Sequence, residues 1–172
     1  MKTIQNFDIR IEEPCLENYS EPPEDPLGEL SDFEMQLRRF CFECNHQVSI
    51  EIGDEKRQVI LDPDICMILE ELPEQVSKLS EGQKISIGFP ESWIIIDLVP
   101  IAGDISCTLR TFGCSSEQNN FELDKTQVLG VLRRFLDEVM EMAVDKGYIR
   151  RKEKEEFLRP AFSPDASFVL PG

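Results

Sequence analysis

Residues 93–110 read Trp93-Ile94-Ile95-Ile96-Asp97-Leu98-Val99-Pro100-Ile101-Ala102-Gly103-Asp104-Ile105-Ser106-Cys107-Thr108-Leu109-Arg110. This stretch decides the fold class. Trp93 to Val99 is apolar on both faces except at Asp97, which predicts a central strand covered on both sides. Asp97 needs a partner such as Arg110 if it is buried, or else it sits at a sheet edge facing water. Ala102-Gly103-Asp104 is a turn. Beyond it, Ile105, Cys107, Leu109 and Thr111 share one face of a second strand, with Ser106, Thr108 and Arg110 on the other.

Working outward, Ile85, Ile87 and Phe89 alternate in the same way before a turn at Pro90-Glu91-Ser92. Gly113 to Asn120 reads as a polar loop, and Phe121-Glu122-Leu123 as a short last strand. Upstream, Phe40, Phe42 and Cys44 alternate with Cys41 and Glu43, as do Val48, Ile50 and Ile52 with Ser49 and Glu51. Period two predicts half-buried strands joined at Asn45-His46, and Gly53-Asp54-Glu55 turns into a third strand over 58–61. Asp62-Pro63-Asp64 starts a helix, with Asp62 as cap. Ile65, Leu69, Leu72, Val76 and Leu79 form its apolar stripe, and Pro73 breaks or kinks it. Asp124-Lys125-Thr126-Gln127 opens a long amphipathic helix to about residue 146, with Gly147 beyond its end. Phe135 on its stripe is expected to pack on the sheet with Trp93 or its neighbours.

The predicted fold is α+β: an antiparallel sheet of about six or seven strands, an inserted helix, and a C-terminal amphipathic helix packed on the sheet. Residues 33–148 form this single domain. Residues 1–32 read as an acidic, partly disordered arm, because Pro14, Pro22, Pro23 and Pro26 forbid a regular helix there. Ile4, Phe7, Ile9 and Ile11 are able to dock as a short edge strand. Residues 149–172 read as a charged, then proline-containing tail.

Charge bounds the function. The chain of 172 residues carries 34 Asp+Glu against 18 Lys+Arg, a formal net charge of -16. A surface of one sign repels nucleic acid and anionic membrane and attracts basic proteins. The predicted partner is therefore a basic protein, with neither nucleic acid nor membrane. Glu21, Glu24, Asp25 and Glu29, clustered around the prolines of the arm, are the candidate contact residues. No apolar run approaches the about 20 residues of a membrane span. The N-terminus lacks a stretch of signal-peptide type, so a cytoplasmic protein is expected. Its six cysteines, Cys15, Cys41, Cys44, Cys66, Cys107 and Cys114, are then reduced thiols.

Cys41-x-x-Cys44-x-His46 is the one ligand-like cluster. Thiolates and imidazole suit zinc, but a closed site needs a further pair at that spacing, and Cys107 and Cys114 are seven apart. On a strand, Cys41 and Cys44 point to opposite faces, while Cys44 and His46 share one. Structural thiols and a turn histidine are the plain reading. No metal, cofactor or catalytic residue is expected, with Cys41, Cys44 and His46 kept as weak metal candidates.

Several stretches carry a resemblance: R-F-C-F-E-C-N-H-Q-V-S-I-E-I (39–52), I-C-M-I-L-E-E-L (65–72), E-G-Q-K-I-S-I-G-F (81–89), the 93–110 strand pair and the final amphipathic helix. Over about residues 39–142 the order of elements resembles small bacterial immunity-type proteins of wall-associated polymorphic toxins. The resemblance implies a non-enzymatic protein that occludes a toxin domain. Toxin nucleases tend to be basic because they grip phosphate, so an acidic protein is suited to mimic that substrate. Two alternatives stand beside it. One is a small metal- or thiol-dependent enzyme or sensor using Cys41, Cys44 and His46. The other is an accessory protein whose arm and tail dock an unidentified assembly.

Overall fold

The predicted hairpin forms, and its turn is the tightest in its sheet. Strand β5 (Ile94–Ile101) pairs antiparallel with β6 (Asp104–Thr111) across Ala102-Gly103, both with positive φ. The computed structural model describes residues 4–16, 21–113 and 116–162. Cys114 and the end of the expected tail, with Pro164 and Pro171, lie outside the described residues. The sheet containing the hairpin has the order β4 (Ile85–Phe89), β5, β6, β7 (Glu117–Asp124). A second antiparallel sheet has the order β1 (Phe7–Pro14), β2 (His46–Ile52), β3 (Glu55–Ile60). The α+β class is as predicted, but the strands divide into sheets of three and four, and one sheet of six or seven is not formed.

The reason for the division lies at residues 5–7. Gln5 makes a lone parallel bridge to Leu123 of β7, its N–H donating to the Glu122 carbonyl at 2.8 Å. The next ladder would require Phe7. Its N–H donates instead to Gln127 Oε1 at 3.2 Å, while Gln127 Nε2 donates to Asn6 Oδ1 at 2.7 Å. Gln127 belongs to α4 (Lys125–Asp145), which Asp124 caps by accepting from the Gln127 N–H. The first turn of the helix thus takes the place of a continuing ladder, and α4 packs against β1 as well as β7. Phe7 and Ile9 are buried, so the start of the segment read as an arm is an edge strand of the core.

Residues 40–44 are not a strand. They end α1 (Asp32–Glu43), which begins at a full capping box: the Glu34 N–H donates to Ser31 Oγ, and the Ser31 N–H to the Glu34 carboxylate. Leu37, Phe40 and Cys41 recur at helical spacing and are all buried. The alternation of Phe40, Phe42 and Cys44 is incidental, since Phe42 is only half-buried. After β3 the chain makes a π-type turn over Leu61–Ile65, then α2 (Cys66–Leu69) and α3 (Leu72–Ser80), with Pro73 in the first turn of α3. The expected break at Pro73 is present. Asp62 is extended and marks a kink within this turn, with Pro63 after it. Asp64 accepts from the Ile60 N–H and from Ser92 Oγ, both at 3.0 Å, and its burial pushes the carboxyl above its ordinary value.

Strand β5 is interior to its sheet yet covered on one side only. Ile94, Ile96 and Leu98 are buried, whereas Val99 and Ile101 are exposed. Asp97 lies on the open face and pairs with Arg110 at 2.8 Å. Strand β7 starts at Glu117, four residues ahead of the predicted strand, because Glu117 to Asn120 pair in register with Thr111 to Thr108. Trp93 adopts the left-handed region, stands 55% exposed and meets Phe112 edge-on at 5.8 Å. It therefore lies outside the core that holds Phe135, whereas its neighbour Ile94 lies within that core.

Half of the expected tail is a helix, α5 (Arg151–Phe162). Leu158 and Ala161 bury its inner face, and Phe157 packs on Phe33 of α1 with ring centroids 5.5 Å apart. Arg133 Nε donates to the Ala161 carbonyl at 2.7 Å, satisfying an orphan acceptor of the last turn. The buried apolar residues of both sheets and the helices form one cluster.

Candidate functional site

Two concave sites bring the chemically active side chains together. The first is a cleft of about 360 Å³ lined by Glu21, Pro23, Arg38, Asp62, Pro63, Cys66, Met67 and Glu70. Helix α1 presents Arg38 to the opening and, one turn further on, Cys41 to the interior. Cys41 is fully buried and Cys66 half-buried. The two thiols are hydrogen-bonded to each other across the contact of α1 with α2. That bond, and then burial, push the Cys41 thiol well above its ordinary value. The same bond holds the Cys66 thiol below its ordinary value against the effects of burial and of the Asp62 charge, with a smaller contribution from Arg38. Arg38 Nε lies 3.5 Å from Glu70 Oε1.

The second site is an open groove of about 470 Å³ between β1 and α4, lined by Ile11, Glu12, His46, Asp137, Glu138, Glu141, Met142 and Asp145. Period 3.6 explains its acidity, since Asp137, Glu138, Glu141 and Asp145 recur on one face of α4. Half-buried Ile11 and Met142 supply its apolar wall. Lys154 of α5, itself 8% exposed, reaches Asp137 at 2.9 Å and Glu141 at 2.6 Å. Arg151 binds Glu141 at 2.9 Å. Hydrogen bonds from Arg151 and then Lys154 hold the Glu141 carboxyl down at about 2. Above the groove, Asp8 ties β1 to α4. Its carboxylate accepts from Arg134 at 2.5 Å and from Arg10 at 2.6 Å. Burial acts to raise Asp8, but the two arginines outweigh it and hold the carboxyl below its ordinary value.

The cluster read as Cys41, Cys44 and His46 is dispersed by the helix. Cys44 caps the end of α1, with its sulfur 3.9 Å from the Tyr148 hydroxyl oxygen, and that hydroxyl donates to Glu43 at 2.5 Å. His46 opens β2 and places Nδ1 2.8 Å from the Glu12 carbonyl oxygen, on the groove side. Among the described residues no group of three His, Cys, Asp or Glu is placed to hold a metal. Of the acidic candidates in the arm, Glu21 lines the cleft. Asp25 is used in building a turn: its carboxylate accepts from the N–H groups of Glu29 and Leu30, both at 2.9 Å. Glu24 and Glu29 are exposed. Sequence reasoning missed Cys66 and the carboxylates of α4. Cys66 lies one residue after Ile65 of the apolar stripe, and the α4 acids share a face at spacings of three and four, so both carried a helical signal.

Among the described residues, no helix is long and apolar enough to cross a membrane. No protein-family model, no curated protein and no solved structure matches the chain, so the resemblance to immunity-type proteins rests on the sequence landmarks, of which residues 39–43 are helical.

Proposed function

We propose that the protein is a non-enzymatic acidic binding module that engages a basic protein partner. The β1–α4 groove is the observation that carries this reading. Five carboxylates line it, from Glu12, Asp137, Glu138, Glu141 and Asp145, beside an apolar wall of Ile11 and Met142. Such a combination suits a lysine or arginine, whose aliphatic stem covers apolar surface while its head stays among carboxylates. Arg134, Arg151 and Lys154 already neutralise part of the charge. An acidic excess remains, and the net charge of -16 extends it over the molecule. Long-range attraction of this kind raises association rates for basic proteins and opposes phosphate backbones. The resemblance to immunity-type proteins narrows the partner to a basic toxin domain whose phosphate-gripping face the acidic surface occludes.

The test is affinity capture from the native host with the wild-type chain and with a Glu12→Gln/Glu138→Gln/Asp145→Asn variant, whose melting is compared first. A basic protein bound at low salt, released as salt is raised, and lost by the variant supports the reading. Exposed charges are screened over about 8 Å at physiological ionic strength, so salt acts first on steering. A captured partner that is acidic, or whose association rate is indifferent to salt, refutes it.

A further inference from the structure

We infer that Cys66 and Cys41 form a peroxide-reactive dithiol, in which Cys66 meets the oxidant in the cleft and Cys41 resolves it from the core side. This reading is independent of the acidic groove. The geometry has three parts. Cys41 of α1 and Cys66 of α2 face each other across the contact of the two helices, each thiol acting on the other, so bond formation requires only a local approach of the two sulfurs. Their burial is graded: Cys66 lines a cleft open to solvent, and Cys41 lies behind it with no exposure. A cation stands in the same cleft: the charge of Arg38 acts for the Cys66 thiolate, against the charges of Asp62 and Glu70, so the Cys41 thiol is the main group that favours it. Exposed thiolate beside a resolving thiol is the arrangement of redox-responsive cysteines.

The cleft also selects among oxidants. Glu21, Asp62 and Glu70 line it against one arginine, which disfavours anionic disulfides such as oxidised glutathione and leaves a small neutral peroxide as the matching reagent. In the first step the Cys66 thiolate attacks one oxygen of hydrogen peroxide. The S–O bond forms, the O–O bond breaks, and the departing hydroxide takes up the proton that Cys66 released, giving water and a sulfenic acid. In the second step the Cys41 sulfur attacks the Cys66 sulfur. The S–S bond forms, the S–O bond breaks, and hydroxide leaves with the Cys41 proton as a second water. Two thiols lose two electrons and the peroxide gains them.

The test treats the reduced full chain with hydrogen peroxide, blocks remaining thiols under denaturing conditions, and maps cross-links by mass spectrometry without reductant. Cleavage after Glu43 separates Cys41 from Cys44. The expected product is a peptide containing Cys41 joined to one containing Cys66, with loss of two hydrogens, and unchanged in Cys44→Ser. Cys66→Ser should lose this product completely. Cys41→Ala should halt at the sulfenic acid, captured at Cys66 by dimedone. Cross-linking of Cys66 to Cys15 or Cys44, or oxidation confined to Met67 with both thiols intact, overturns the inference. So does a Cys41→Ala protein that folds, as judged by circular dichroism, but gives no dimedone adduct. If Cys41→Ala does not fold, the wild-type cross-link map decides alone.

Discussion

Strand β1 is the element on which the two-sheet architecture turns, and Phe7 is its most consequential side chain. Phe7 is 1% exposed and Ile9 is 7% exposed, within the cluster that also holds Phe135 and Leu136. Truncating a buried phenylalanine to alanine costs about 3–5 kcal/mol, because the transfer term and the residual cavity add. Domains have about 5–15 kcal/mol in total, so Phe7→Ala should fold but melt early. At about 2–4 °C per kcal/mol for a chain of this size, the expected drop in Tm is about 6–20 °C. Removing residues 1–14 takes Phe7, Ile9, the ladder to β2 and the Asp8 clamp on Arg134 together. The two apolar side chains alone account for about 5–10 kcal/mol, which is comparable to the whole stability, so the truncated chain should not fold. Urea titration followed by far-ultraviolet circular dichroism measures both, with exposed Glu13→Ala as the control expected within about 0.5 kcal/mol. A Phe7→Ala loss below about 1 kcal/mol, or a cooperative transition in the truncated chain, would refute the placement of β1 and return residues 1–14 to the status of a dispensable arm.

Other consequences are open to direct measurement. Trp93 is the single tryptophan and is 55% exposed, so native fluorescence should be solvent-like in wavelength and readily quenched by acrylamide; a blue-shifted, protected emission would place it in the core. At Gly53, with φ of +61°, an added Cβ would lie 2.8 Å from the Phe121 ring, so Gly53→Ala should cost about 1–3 kcal/mol of strain in chemical denaturation, and a neutral result would contradict the packing of the β2–β3 turn on β7. Arg151 and Lys154 depress Glu141 from 4.5 to about 2, so its ion pairing stabilises fully above about pH 4.5 and is lost as pH falls towards 2. Lys154→Met should raise the Glu141 pKa measured by carboxyl NMR titration, and an unchanged value would mean that Lys154 does not reach it.

The parts of the fold that were legible in the sequence are those where local pattern and tertiary role agree. Ile105, Cys107 and Leu109 alternate and are buried, and the Asp124 cap with the stripe from Val128 to Ala143 gives α4. The break at Pro73 follows from backbone chemistry alone. Residues 40–44 were misread because two periodicities overlapped. Phe40, Phe42 and Cys44 fit period two, but Leu37, Phe40 and Cys41 fit the helix, and the capping box at Ser31 and Glu34 resolves the choice. That one misreading hid the cleft: a strand cannot place Arg38 and Cys41 on successive turns against α2, whereas a helix does. The division of the sheets was not legible at all, because it depends on one side chain, Gln127, taking the Phe7 N–H that a ladder would otherwise use.

The two sites also differ in what sequence reading is able to find. The acidic groove is an excess, and composition by itself registers an excess. Net charge therefore suggests a class of partner but names no face: Asp25 in the arm is engaged by the backbone of its own turn, while the concave acidic surface is built by α4 with Glu12 of β1. The dithiol is a coincidence of position. Cys41 and Cys66 are separated by β2, β3 and a π-type turn, and no spacing rule links them. Their contact exists because the π-type turn after β3 lays α2 against α1. Charge-driven binding tolerates many surface arrangements that keep the sign. A thiol pair requires one arrangement of two helices, so peroxide mapping examines the α1–α2 packing itself as well as its chemistry.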